Sequence, residues 1–350
     1  MAVRRSKVPC DPSATGLAAL VSLKRGPMRS VPNILALALL PACAPSSGNA
    51  ETAREVRAEQ AAPPASPRTV EPSADGAKLT KACKGRDGWA DAAPPAKLFG
   101  NTWYVGTCGI SAILVTGTDG HVLIDGGLPE AAPLVLANIA AAGFKARDVR
   151  WILSSHEHFD HAGALAALQR ATGARVAALP AAAQVLETGE ADPEDPQFGG
   201  LDAFPAVRVD RHLADGEHVT VGKLSLTAHA TLAHAAGSTS WTWRACDEQK
   251  QCLTVAYADS ASAISVKGYR FTDHPARVEA VRKGLDRIAT LPCDLLVTPH
   301  PGASDLFGRL SGAAPLVDPA ACRRYAATAK ARFETRLSEE TAPEAKEIRS

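Results

Sequence analysis

The stretch Ser155-His156-Glu157-His158-Phe159-Asp160-His161-Ala162-Gly163 decides how the rest of this chain is read. Between His156 and His161 it places three histidines and two carboxylates in six residues. Imidazole and carboxylate are the side chains that suit zinc, and an apolar core has no use for so many of them. In an extended turn, His156 and His158 sit two apart and point to one side. Asp160 and His161 then open a helix and turn towards a neighbouring position, so one motif can supply two adjacent metal ions.

Working outward, residues 149–154 read as a short buried strand before the motif. Residues 163–172 read as a helix after it, stopped by Gly173. Upstream, strands at 111–115 and 121–124 flank the turn Thr118-Asp119-Gly120, and Asp125-Gly126-Gly127 ends the second. Residues 129–142 form a helix with Pro129 in its first turn and Gly143 behind it. Downstream come a strand at 175–179, a helix at 180–187 and an acidic, Pro-containing loop at 189–200. Strands follow at 219–221, 224–229, 239–244 and 253–257. Val278, Val281, Leu285 and Ile288 fall at helical spacing within 275–291. A last strand covers 295–298, and a closing helix covers 319–337. This alternation predicts an α/β sandwich with helices on its outer faces. It occupies one domain over 83–337, with a charged, frayed tail over 338–350.

The N-terminal part reads differently. Met28 is expected to be the true start, which makes 1–27 upstream sequence. Arg29, the apolar run 34–40 and Pro41-Ala42-Cys43 then form a secretory signal over 28–43. Leu40-Pro41-Ala42-Cys43 also resembles a lipoprotein signal, so lipidation of Cys43 and simple cleavage both stay open. Residues 44–82, rich in Ala, Pro, Glu and Ser, are expected to be a disordered tether. The implied location is the periplasm, or its outer membrane if Cys43 carries lipid.

Of the eight cysteines, six lie beyond this segment. An even set in an exported chain reads as disulfides, with 15 pairings open to six residues. Chain order favours Cys83–Cys108, Cys246–Cys252 and Cys293–Cys322. No C-x-x-C spacing offers a cysteine metal site. The formal net charge of +1 argues against a dedicated nucleic-acid binder.

H-x-H-x-D-H is the signature of the metallo-β-lactamase superfamily, and the chain resembles that family from the motif onward. His234, in Ala233-His234-Ala235-Ala236-Gly237-Ser238-Thr239-Ser240-Trp241, and His300, in Thr298-Pro299-His300-Pro301-Gly302, stand where the family carries further ligands. The stretches Gly100-Asn101-Thr102-Trp103-Tyr104-Val105-Gly106, Leu123-Ile124-Asp125-Gly126-Gly127, Tyr257-Ala258-Asp259-Ser260 and Cys293-Asp294-Leu295-Leu296-Val297-Thr298 are similar to the third subclass, whose sites have no cysteine ligand.

The resemblance implies two central sheets between outer helices. It implies two zinc ions, one on His156, His158 and His234 and one on Asp160, His161 and His300. It also implies a zinc-bound hydroxide, oriented by Asp160, that opens the β-lactam ring of penicillins, cephalosporins and carbapenems and so confers antibiotic resistance. Ser260 and Ser262 resemble contacts to the drug's carboxylate, Trp103 and Phe198 are assigned to an apolar wall, and Asp125 is expected just behind the ligands. In the subclass a disulfide joins the counterparts of Cys293 and Cys322.

Where many relatives carry Thr-Pro-Gly before the third histidine, this chain has Thr231-Leu232-Ala233, which implies a changed loop with the ligand kept. The protein is expected to act as a monomer on a small molecule. A glyoxalase II-like thioesterase or a lactonase is the competing reading, with Asp259 near the position of a bridging carboxylate. A non-enzymatic periplasmic zinc-binding protein would not need all six ligands.

Overall fold

The computed structural model describes residues 70–342, and regular structure begins earlier than the composition suggested. The tether was expected to reach residue 82, but Ala74–Ala82 is a helix, α1. Ser73 caps it by accepting from the Gly76 amide at 2.9 Å, and Asp75 sits in the first turn, where the helix dipole favours an anion. Leu79 is fully buried, and the Cys83–Cys108 disulfide ties the end of the helix to the folded body. A short amphipathic run thus gains enough buried contact to order, which composition alone could not reveal. The expectations for 1–27, for the signal over 28–43, for the tether up to 69 and for 343–350 lie outside the described residues.

A first sheet of seven strands follows in chain order. It opens with β1 (Ala96–Phe99) and β2 (Thr102–Tyr104), two short strands that the sequence reading missed. Antiparallel pairing continues through β3 (Ile113–Val115) to β4 (His121–Ile124). From there β5 (Val149–Leu153), β6 (Arg175–Ala178) and β7 (Arg211–His212) add in parallel. Parallel neighbours need crossover connections. Helix α2 (Ala132–Ala141) makes the first and α5 (Pro180–Thr188) the last.

The middle crossover, expected as one helix from residue 163, is instead two. They are α3 (Phe159–Ala162), which carries the end of the histidine motif, and α4 (Leu165–Thr172). The break falls at Gly163, where a Cβ would lie 2.5 Å from Pro129 Cδ and 2.4 Å from the Phe159 carbonyl oxygen. Only glycine lets the chain pass so close to the turn before α2.

The second sheet has five strands: β8 (His218–Val221), β9 (Leu224–Ala230), β10 (Thr239–Cys246), β11 (Cys252–Tyr257) and β12 (Leu295–Val297). All pairs are antiparallel except β11 with β12, whose crossover is α6 (Pro275–Ala289). Two helices follow among the described residues, α7 (Leu306–Leu310) and α8 (Ala321–Thr341). Helix α8 runs past the expected frayed point because Leu337 is still buried and Arg336 pairs with Glu340 one turn on.

Side-chain alternation builds the layers. Ile113, Val115, Trp151 and Leu153 of the first sheet meet Trp241, Trp243, Val255 and Val297 of the second in one central core. Their alternate neighbours Leu114 and Ile152 face α2, α4 and α5, while Ala256 and Leu296 face α6 and α8. Both faces of each sheet are therefore covered, which is why these strands read as continuous apolar runs. The order is helix, sheet, sheet, helix, as expected.

Cys246–Cys252 closes the β10–β11 hairpin, and Cys293–Cys322 ties the start of β12 to α8. The three bonds are the pairings that chain order favoured. No helix among the described residues is long and apolar enough to cross a membrane.

Candidate metal centre

The chemistry-bearing residues collect at one end of the sandwich. Asp125 follows β4, the histidine motif follows β5, and His234 lies between β9 and β10. Asp259 follows β11 and His300 follows β12. Backbone and side-chain bonds fix the two sheets together there. The Thr239 amide donates to the Ser155 carbonyl at 2.6 Å, Trp241 Nε1 to the Ser154 carbonyl at 3.0 Å, and Ser111 Oγ to the Thr298 carbonyl at 2.8 Å. Strand ends anchored this way hold side chains more precisely than free loops do.

Two groups of donor atoms result. His156, His158 and His234 each offer an atom within 4.8 Å of the others, and so do His156, Asp160 and His161. His300 joins the second group. Asp160 Oδ2 lies 3.1 Å from His161 Nε2 and 3.5 Å from His300 Nε2, and the two histidine nitrogens are 3.3 Å apart. Ligands about 2.05 Å from a tetrahedral zinc stand about 3.3 Å from one another. The triad has that spacing. The two groups adjoin, with the rings of His156 and His161 4.3 Å apart between centroids.

Three of the imidazoles are hydrogen-bonded through their other nitrogen. His156 Nδ1 meets Asp259 Oδ1 at 2.8 Å, and both side chains are fully buried. His156 Nε2 is left buried without a hydrogen-bond partner, which is what a metal-facing nitrogen requires. His158 Nε2 meets Asp195 Oδ2 at 3.0 Å, and His234 Nδ1 donates to the Ser262 carbonyl at 2.7 Å. His161 Nδ1 faces Asp125 Oδ2 at 3.6 Å. Carboxylates and carbonyls behind histidines set tautomer and raise ligand basicity. Asp125 itself is held with φ of 60°, by bonds from the Ser155 amide at 2.6 Å, Ser155 Oγ at 2.7 Å and the Tyr257 hydroxyl at 2.6 Å.

Electrostatics agree with this use. Burial, together with the neighbouring imidazoles, holds His156 well below the ordinary histidine value. Burial and His158 bring His234 down to about 3, and burial and His161 bring His300 down to about 4. All three are neutral at pH 7, with lone pairs available. At His161 burial is outweighed by Asp160 and Asp125, which raise it to about 10. Those carboxylates favour a positive charge at this point, which a divalent cation supplies as a proton does. Burial pushes Asp160 up, but His161 overcomes it and holds the carboxyl below its usual range.

The loop carrying His234 departs from the family's Thr-Pro-Gly and is fixed from outside. Arg277 donates to the Leu232 carbonyl at 2.9 Å and the Ala233 carbonyl at 3.0 Å. Gly284 of α6 lets it pack close, since a Cβ there would stand 2.6 Å from the Ala233 amide. On the far side the Gly237 amide donates to buried Glu157 at 2.8 Å.

The other expected site residues divide. Ser260 and Ser262 line a cavity beside His300, and Phe198 stands exposed on the loop that carries Asp195. Trp103 is not at the centre. It packs edge-on against Phe144 at 5.5 Å on the outer face of the first sheet, because its register on β2 points it away from the strand ends. The aromatic ring that does reach the centre is Trp89, 5.7 Å from His300 and 6.0 Å from Phe159 between centroids.

Trp89, Asp195 and Gln197, whose Nε2 is 3.5 Å from His234 Nε2, were missed. All three lie in irregular segments without periodicity. The one cue for Trp89 was its closeness to the bonded Cys83. Asp259 was weighed as a bridging carboxylate, and the structure places it behind His156.

Comparison with known proteins follows the same line. Residues 105–245 match the Metallo-beta-lactamase superfamily. The crystal structure of the metallo-β-lactamase MIM-1 from Novosphingobium pentaromativorans is 60% identical, covers 75% of this chain and 97% of its own, and superposes with a TM-score of 0.74. BJP-1, a subclass B3 metallo-β-lactamase of Bradyrhizobium japonicum, is 31% identical over 72% of this chain and 97% of its own, with a TM-score of 0.66. A hydroxyacylglutathione hydrolase of Anaeromyxobacter dehalogenans (strain 2CP-C) is 36% identical over 131 residues, and the chain spans 40% of that relative's length. With the fold, the donor groups and near-complete coverage of these structures in agreement, the chain belongs to the metallo-β-lactamase superfamily and stands among its subclass B3 enzymes.

Proposed function

We propose that this protein is a zinc-dependent β-lactamase with one zinc on His156, His158 and His234 and a second on Asp160, His161 and His300. The observation that carries the reading is the adjoining pair of three-donor groups, with the imidazoles of His156, His158 and His234 hydrogen-bonded from behind. A zinc pair held there would polarise the lactam carbonyl and lower the pKa of a bound water to about 7.

The chain's own residues do the rest. Asp160 is held too far below the ordinary carboxylate range to store a proton at neutral pH, so its part is to orient the attacking water. Ser260 and Ser262 offer hydroxyls on the wall next to His300, where a substrate carboxylate can be bound. Trp89, Phe198 and Ile264 are large, exposed apolar side chains. Trp89, against His300, and Phe198, on the Asp195 loop, are placed to cover a bound substrate and exclude water.

The thioesterase reading keeps some support from the curated hydroxyacylglutathione hydrolase relative. The pairing of Asp259 with His156 Nδ1 speaks against it, because a bridging carboxylate would have to face the donor groups instead. Purified protein assayed on imipenem and on S-lactoylglutathione, with and without chelator, separates the two. Turnover of the carbapenem that stops on chelation is expected, and turnover of the thioester alone overturns the proposal.

Export to the periplasm belongs to the same proposal. Three disulfides suit an oxidising compartment, and mass spectrometry of the mature N-terminus reads whether Cys43 carries acyl chains.

A further inference from the structure

A cavity of about 720 Å³ opens beside the metal centre. Ser260, Ser262 and His300 form its inner wall, and one face of α8 forms its outer wall. Tyr325, Thr328 and Arg332 lie on that face at helical spacing. Tyr325 fixes the helix in place by accepting from the Ala261 amide at 3.0 Å. Leu296 and Phe333 give the cavity a buried apolar floor.

Its charge is unbalanced. Arg309, Arg324, Arg332 and Arg336 line it against Asp305 and Asp318. Three of the arginines are already engaged. Arg309 donates to the Leu296 carbonyl at 2.6 Å, Arg324 pairs with Asp318, and Arg336 pairs with Glu340 at 2.8 Å. Arg332 is exposed and makes no hydrogen bond or ion pair with any described residue. A guanidinium above that apolar floor presents a planar set of donors that matches a carboxylate or sulfonate. It lies roughly 10 Å along the helix from the level of Tyr325, given a rise of 1.5 Å per residue.

We propose that this cavity is an anion-accepting subsite in which Arg332 binds a second acidic group, carried on the substrate side chain away from the lactam ring. The proposal rests on the β-lactamase reading above and adds a preference for dianionic substrates to it.

The test uses the zinc-loaded full chain and two penicillins. Benzylpenicillin carries only the ring carboxylate, and carbenicillin adds a carboxylate to the same side chain. Arg332→Gln is expected to raise KM for carbenicillin about fivefold, as loss of one partly exposed charge contact does. It should leave kcat within about twofold and KM for benzylpenicillin unchanged. Arg332→Lys should restore only part of the loss, since it keeps the charge without the planar donors, and added salt should shrink the difference.

Equal shifts on both penicillins, or none on either, overturn the subsite while the hydrolase reading stands. Failure of the wild-type protein to open either penicillin overturns the hydrolase reading and the subsite with it. Position 332 is exposed, so loss of folding does not confuse the result.

Discussion

Asp259 provides the sharpest test of how the centre is built. Its carboxylate meets His156 Nδ1 at 2.8 Å, both side chains are fully buried, and no solvent can replace the bond. Asp259→Ala removes the buried carboxyl that fixes the ring and leaves Nδ1 only Ser155 Oγ, 3.3 Å away. Loss of such an outer partner lowers metal affinity about 10- to 100-fold, equivalent to about 1.4–2.8 kcal/mol. Asp259→Asn keeps an oxygen that can accept from Nδ1, so its loss should fall below that of the alanine variant.

The backbone is not at stake, because the Asp259 amide donates to Ser240 Oγ at 2.9 Å whichever side chain follows. Zinc affinity is measured by competition with a chromophoric chelator, and circular dichroism checks the fold. The graded order wild type, asparagine, alanine is expected. Wild-type affinity in Asp259→Ala would refute the reasoning, since Asp259 would then not be what orients His156.

Other perturbations address separate links. His300→Ala should lower zinc stoichiometry by emptying the second group while the fold is kept, and unchanged stoichiometry by elemental analysis would remove His300 from the ligand set. Replacing Cys293 and Cys322 by alanine opens a link across 29 residues, worth about 3.6 kcal/mol by the loop-entropy relation. A urea titration should show that loss with little change in kcat.

His229 is buried, with Nε2 at 2.8 Å from Thr242 Oγ1 and Nδ1 accepting from Arg287 at 3.1 Å. Burial and then Arg287 depress it to about 4. The folded state therefore resists a proton that the unfolded chain takes up near 6.5. The stability this neutral histidine contributes is present above 6.5 and is lost as pH falls towards 4. His229→Gln should flatten the fall in urea midpoint between pH 7 and pH 4.5 relative to wild type. An identical slope in both proteins would contradict the assignment.

Much of this protein was legible in its sequence because the deciding signals are local. Continuous apolar runs bounded by turns gave most of the strands. The density of His156, His158, Asp160 and His161 in one turn has no other economical use. Chain order sufficed for the disulfides because each closes a short segment.

Missed elements share the opposite property. The helix Ala74–Ala82 has a Pro- and Ala-rich neighbourhood and orders through Ser73, buried Leu79 and the bond at Cys83. Trp103 reads as well as Trp89 for an aromatic wall, and only the register of β2 against β3 sends Trp103 to the outer face.

The sequence by itself determined the residue types of the centre, the layered α/β order and the family resemblance, since these depend on side-chain chemistry and short-range periodicity. Tertiary structure alone decided that His300 comes within 3.5 Å of Asp160 across a separation of 140 residues, and which nitrogen of each histidine is turned inward. It also decided that Asp195 and Asp259 stand behind their rings, and that Arg332 reaches the cavity beside them. Those facts are set by where strand ends from two sheets meet, and distance along a chain carries no information about distance in space.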